Sequence, residues 1–201
     1  MQKSVRTQNP PASDLKRLET RLQKDVDNWI KHKPTLSAFY QWQIDQLTPI
    51  PIQPVADIKG LKEKIDGIKA LLHTPLKLKK CYTNAWLLSK TIGDPDPIQY
   101  VEGFWLHDMD LCGHAWNSWR GQHFDVTGEL LKQEVEQLGH PWDGDLSYFK
   151  VVELDCPSTW RAKHNSLQGK PLQIAEFLRL HKLPNDALEV GWNVVENHCR
   201  I

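Results

Sequence analysis

Neither sign of charge dominates this chain. Its 25 lysines and arginines are matched by 25 aspartates and glutamates. There is no basic excess to grip a polyphosphate backbone, which argues against a nucleic-acid partner. No apolar run approaches the roughly 18 residues that a membrane span requires. The opening MQKSVRTQNPPASD has no apolar segment resembling a secretory leader. These lacks imply a cytoplasmic chain with no membrane partner. Cysteine is scarce: Cys81, Cys112, Cys156 and Cys199 form no CxxC pair. That fits reduced thiols rather than a disulfide framework. No HExxH motif and no internal repeat is visible. At 201 residues the chain can bury a sizeable core without staples.

Tryptophan, by contrast, is abundant. Nine are present, against about one per hundred residues in general composition. Most serve as packing, but Trp86, Trp105, Trp116 and Trp119 lie close in sequence to the reactive residues described below and are candidates to wall a cleft.

Read in order, residues 1–12 are polar, with Pro10-Pro11 marking an extended lead-in. Ser13 is placed to cap a helix over 14–32, whose Leu15, Leu18, Leu22, Val26, Trp29 and Ile30 share one face. Pro34 stops it, and LSAFYQWQIDQL follows as a second helix. Prolines at 49, 51 and 54 make TPIPIQPVAD a stiff connector, which divides the chain into a helical extension, 1–56, and a main domain, 57–201. Asp57 is placed to cap a helix to about Leu72, and Cys81 opens another to about residue 91. Strands are predicted over 98–106, 114–119, 122–127 and 147–154, with a short helix over 129–139. The stretch from His107 to Gly113 reads as a polar loop. Beyond it, 155–170 reads as a loop, and 171–182 and 185–197 as helices. Helices first, then strands, predicts an α+β fold with helices packed on a mostly antiparallel sheet.

The chemistry centres on Cys81, His114 and Asp125. A thiol attacks only as thiolate, and an ordinary thiol with a pKa of about 8.5 is mostly protonated near neutrality. A helix N-terminus favours the anion, and its unpaired N–H groups suit an oxyanion. Pro75 upstream and the helical spacing downstream place Cys81 at such a start. If Arg120-Gly121 forms a two-residue turn, His114 faces Thr127; if the turn is Trp119-Arg120, His114 faces Asp125 directly. In both registers His114 and Asp125 share one strand face as direct or diagonal neighbours. An odd-length loop without a bulge would separate them. Once paired, the carboxylate takes one ring nitrogen and leaves the other for the thiol. Asn84, one helical turn after Cys81, is a candidate supporting or substrate contact. Trp116, on the His114 face, is placed to shield the pair or fill the core. Gly103 is a candidate bulge position.

The run CYTNA, YVEG, HAWN and FDVT resembles the transglutaminase-like branch of the papain-like cysteine enzymes, over residues 81–127. The resemblance implies Cys81 as nucleophile, His114 as general base and acid, and Asp125 as the orienting group. It implies a papain-like or transglutaminase-like core. The activity it implies is that of a hydrolase or acyltransferase, in the manner of a peptidase, deamidase or transglutaminase. Such an enzyme acts on an amide or ester carbonyl through a thioester, with no metal or organic cofactor. The substrate would be a protein, a peptide or a small amide. One departure stands out. Papain-like proteases place a glutamine shortly before the cysteine, whereas LKLKK precedes Cys81 here. The second oxyanion donor must then come from elsewhere.

Two other readings remain open. His107, Asp108, Asp110, Cys112, His114 and His123 offer zinc-type donors, although their spacing matches no structural zinc pattern. A catalytically inactive binding module on the same fold is the other, since fold does not guarantee activity.

Overall fold

Apolar spacing builds the helices that cover the sheet. In helix α1, Ala12–Trp29, buried Leu18, Leu22 and Val26 repeat every four residues, so one stripe faces inward. Its N-cap is Pro11 and no side chain caps it, so Ser13 lies inside the helix instead of starting it. Helix α2, Pro34–Gln46, begins at the proline that ends the region before it. Proline suits a first helical position because its missing N–H has no intrahelical acceptor there. The computed structural model describes residues 9–154 except 33, 73–74, 91–92, 108–109, 141 and 143–145. The loop and two helices expected beyond residue 154 lie outside the described residues.

Strand β1, Thr48–Ile50, occupies the stretch expected to be a mere connector. It is an edge strand, where Pro49 is tolerated because one side of the backbone needs no ladder partner. A 3-10 turn, Val55–Asp57, follows, and helix α3, Leu61–Leu71, starts after Gly60 instead of at Asp57. Gly60 has φ +81°, a left-handed conformation that interrupts the helix expected from 57. Helix α4 spans Cys81–Ser89, with Cys81 as its first residue.

Strands β2, Gln99–His107, and β3, Asp110–Trp119, form a long hairpin. The polar loop expected from His107 to Gly113 is therefore mostly strand. Its pairing runs unbroken from Gln99↔Ser118 to His107↔Asp110, and Leu106↔Leu111 carries apolar contact into the tip. Strand β4, Gln122–Phe124, is short, and helix α5, Val126–Gln137, begins directly after Asp125. Strand β5 is Ser147–Leu154. The sheet order is β1-β5-β2-β3-β4, antiparallel throughout. The α+β class holds: the described residues form five α-helices and one antiparallel five-stranded sheet.

The sheet curls. Ile52, just beyond β1, bridges to His123 on β4, which brings the two edges together. The concave side holds Ile50, Ile52, Val101, Trp116 and Tyr148. On the convex side, Leu18, Leu22, Val26 and Tyr40 pack with Phe104, Leu106, Phe149 and Val152. Segment 1–56 thus supplies an edge strand and two helices to the core that the later strands use. Further along, Ala85 of α4 meets Tyr100 and Ala115. A third cluster, with Ile58, Leu61, Ile65, Leu88, Trp119, Phe124 and Val126, joins α3, α4 and the start of α5 to the hairpin.

β4 stops at Phe124, opposite Asn117. Among the described residues, no strand therefore pairs with the outer edge of β3 before that point, and α5 begins there. The candidate site sits in this gap.

Candidate active site

The hairpin turn fixes the register. Arg120 and Gly121 both have positive φ, 52° and 75°, which suits a two-residue turn between twisted strands. Trp119 pairs with Gln122 and Asn117 with Phe124. This is the first of the two registers foreseen, but the predicted strand over 122–127 ends early. Asp125 is the N-cap of α5: its Oδ1 accepts from the Thr127 backbone N–H at 3.0 Å. The aspartate's cap role had no part in the sequence argument. A short polar side chain before a helix satisfies an N–H that the helix itself leaves orphaned.

The other carboxylate oxygen faces the imidazole. His114 Nε2 and Asp125 Oδ2 lie 2.8 Å apart, both side chains almost fully buried. Tyr148 donates its hydroxyl to the same Oδ2 at 2.8 Å. Burial alone would push the Asp125 carboxyl up, but the charge of His114 and hydrogen bonds from His114, the Gly128 amide and Tyr148 outweigh it. The net direction is down. Asp125 is thus held as the anion. Tyr148 moves the opposite way: burial, then the Asp125 charge, pushes its phenol well above its ordinary value, so it stays a donor. Nδ1 of His114 is the ring nitrogen left for another partner.

Aromatic rings fix His114 on its remaining sides. Trp105 stacks on it with centroids 4.4 Å apart and planes 7° from parallel. On the other side Trp116 lies 6.1 Å away at 18°. Tyr148 stands edge-on at 65°. Trp116 is itself anchored, its indole N–H donating to His123 Nδ1 at 3.3 Å. Burial pushes His123 down to about 4, so the ring is uncharged near neutrality with one nitrogen unprotonated, and the indole N–H assigns that role to Nδ1. The Trp116 ring leans over Gly103. A Cβ at Gly103 would come within 2.9 Å of Trp116 Cη2 and collide with the Phe149 carbonyl. The pairing of β2 with β5 shifts between Glu102 and Gly103, leaving Val151 as the extra residue, so the expected bulge at Gly103 is present.

Cys81 is a free, half-buried cysteine at the head of α4. The N-cap, Lys80, makes no side-chain cap bond. The head of α4 is tied to the His–Asp pair through Asn84, which is 1% exposed. Its amide donates to Thr127 Oγ1 at 2.9 Å, and the Thr127 backbone N–H in turn donates to the capping Asp125. The same side chain clamps Lys77, donating to its carbonyl at 2.7 Å and accepting from its N–H at 2.9 Å. Asn84 is therefore a buried strut between the segment before Cys81, α4 and α5. Tyr82 closes the other flank, its hydroxyl lying 3.1 Å from where a Cβ on Gly113 would stand. Burial, then the Glu102 carboxylate, likewise pushes the Tyr100 phenol well above its ordinary value.

Of the four tryptophans singled out from sequence, Trp105 and Trp116 flank the histidine. Trp86 packs beside Ala85 and Tyr100 on the convex side. Trp119 packs in the cluster under α3, its indole N–H on the Asp96 carbonyl. Tyr148 and Thr127 were not foreseen. Thr127 is β-branched and reads as strand, and Tyr148 comes from a strand 23 residues after Asp125 with no local signal. Among the described residues, no group of three or more His, Cys, Asp or Glu is arranged to hold a metal ion, and no helix is long and apolar enough to cross a membrane. No family model, curated protein or solved structure matches this chain.

Proposed function

We propose that this chain is a thiol-dependent hydrolase or acyltransferase of the transglutaminase-like, papain-like type. On this reading Cys81 is the nucleophile, His114 the general base and acid, and Asp125 the orienting anion. The observation that carries it is the buried His114–Asp125 pair at 2.8 Å, joined through Thr127 and Asn84 to the helix that Cys81 opens. A structural histidine would not need an ionised carboxylate on one nitrogen and rings on both faces while its other nitrogen is left for a partner.

The chemistry follows from those roles. The Cys81 thiolate attacks the carbonyl carbon, a C–S bond forms, and the carbonyl π electrons move onto oxygen. The first-turn N–H groups of α4 have no intrahelical acceptor and suit that oxyanion. Collapse breaks the bond to the leaving amine or alcohol, which takes a proton from the His114 imidazolium. A thioester on Cys81 remains. Water or an incoming amine then gives a proton to His114 and attacks the thioester, and C–S cleavage restores the thiolate. Asp125 stays ionised throughout and holds the ring through Nε2. Protein, peptide and small-amide acyl donors all fit this scheme.

The test is alkylation with iodoacetamide followed by peptide mapping. Cys81 is expected to label faster than Cys112 between pH 6 and 8, and His114→Ala is expected to slow it. Equal labelling of Cys81 in the parent and in His114→Ala would remove the pair from the mechanism.

A further inference from the structure

His114 lies between two indole planes, and this stack has a consequence for its charge. Trp105 and Trp116 are near-parallel to the imidazole, at 7° and 18°. They differ in setting. Trp116 is 1% exposed, pinned by His123 and by the space above Gly103. Trp105 is only partly buried and stands nearest solvent. An indole face carries the negative lobe of the ring quadrupole, so a cation stacked on it is stabilised, while a neutral imidazole gains much less.

We propose that Trp105 and Trp116 form a two-plate box that selects the imidazolium form of His114, with Trp105 as the positioning residue on the open side. The box acts with Asp125, which supplies the in-plane anion. Its catalytic consequence rests on the thiol reading above: a held imidazolium is the counter-charge that keeps Cys81 a thiolate. The stack itself does not depend on that reading.

Other charged or titratable groups near the ring must be weighed. Asp125 at the head of α5 favours the cation directly. Tyr148 on β5 donates to Asp125 and stays neutral. Glu129 of α5 is half-shielded, and burial pushes its carboxyl up. Cys81 opens α4. On the same sheet face, Cys112, Asp110 and His107 lie toward the hairpin tip. Across Trp116, His123 is neutral near pH 7, with Lys150 and Glu153 paired beyond it. Cys112 is the cross-strand partner of Trp105 and is the same in every variant compared, so the comparison reads the plate.

The sign of the effect separates this role from simple shielding. If Trp105 only excluded water, its removal would hydrate His114, ease the charged form and move the imidazole titration to higher pH. If Trp105 binds the cation, removal moves the titration to lower pH. The experiment follows His114 by NMR titration in the full chain bearing Cys81→Ala, with Trp105 intact or changed to Leu or Phe. Trp105→Leu is expected to lower the midpoint by roughly one pH unit, about tenfold in the proton equilibrium. Trp105→Phe is expected to recover part of that shift. A midpoint that stays put or rises in Trp105→Leu overturns the proposal, as does an equal fall in both variants. If Trp105→Leu loses the native melting transition, Trp105→Met takes its place, and Trp105→Tyr does so for Trp105→Phe, under the same criteria. With Cys81 present, the pH range of rapid alkylation should narrow from both sides in Trp105→Leu. A normal NMR shift without any fast alkylation in the parent would leave the box standing and sink the thiol reading instead.

Discussion

Asp125 does two jobs with two oxygens. Oδ1 caps a helix and Oδ2 orients an imidazole. Asp125→Asn keeps the size but removes the charge, and its amide can donate where only acceptors are wanted. Turnover in that variant should fall by roughly 10²- to 10⁴-fold in kcat/KM, less than in Cys81→Ala, where it should vanish while the melting temperature holds. Equal activity in Cys81→Ala and parent would show that another residue is the nucleophile. Glu102 gives a different prediction. It is buried on the convex side, where it accepts from the Tyr100 hydroxyl, and burial pushes its carboxyl from 4.5 up to about 8, despite that bond. Between those values the folded chain holds a proton that the unfolded chain has released. Stability therefore falls as pH rises across that window and levels off above it. Glu102→Gln should remove the decline, making the variant more stable than the parent at pH 8 by something on the order of a few kcal/mol. Parallel stability–pH curves in urea for the two proteins would refute an ionisable, strained Glu102.

The glycine on β2 is where local sequence and strand geometry meet. Gly103 lies opposite His114, beside the bulge, and under the Trp116 ring. A methyl there meets the Phe149 backbone, which no side-chain rotation can relieve. Gly103→Ala should cost about 1–3 kcal/mol or more and should disorder the Trp116–His114 stack, read as loss of near-UV circular dichroism at the tryptophan bands. An unchanged melt and spectrum would mean that the strands part easily. The same strands show what was legible in advance. That His114 and Asp125 come together was readable, because side-chain alternation survives either turn register. That Asp125 begins a helix was not, because Val126 and Thr127 are β-branched and read as strand. The tip from His107 to Gly113 looked polar, yet Leu106 and Leu111 pair across it. β1 was hidden by its prolines, which an edge tolerates. Tyr148 was out of reach, since it comes from β5, 23 residues after Asp125, and nothing local in the sequence fixes that pairing.

The boundary suggested by the prolines at 49, 51 and 54 divides the chain where the fold does not. Leu18, Leu22, Val26 and Tyr40, all before residue 56, pack against Phe104, Leu106, Phe149 and Val152, all after it. β1 pairs with β5 through Thr48↔Lys150, Pro49↔Phe149 and Ile50↔Tyr148. Ile50 and Ile52 then fill the concave core against Trp116 and Tyr148, the residues that hold His114 and Asp125. Four core side chains at about 1.5–3 kcal/mol each amount to about 6–12 kcal/mol. That is as large as the whole stability of an ordinary domain, about 5–15 kcal/mol. A fragment of residues 57–201 should therefore fail to melt cooperatively, should bind a hydrophobic dye, and should lose fast alkylation at Cys81. Adding back a separate peptide of residues 9–56 should restore part of both, because the missing strand and helices dock on surfaces that the fragment leaves open. A fragment that melts sharply and alkylates like the full chain would show that the curled sheet closes without β1 and that the first two helices are ornament.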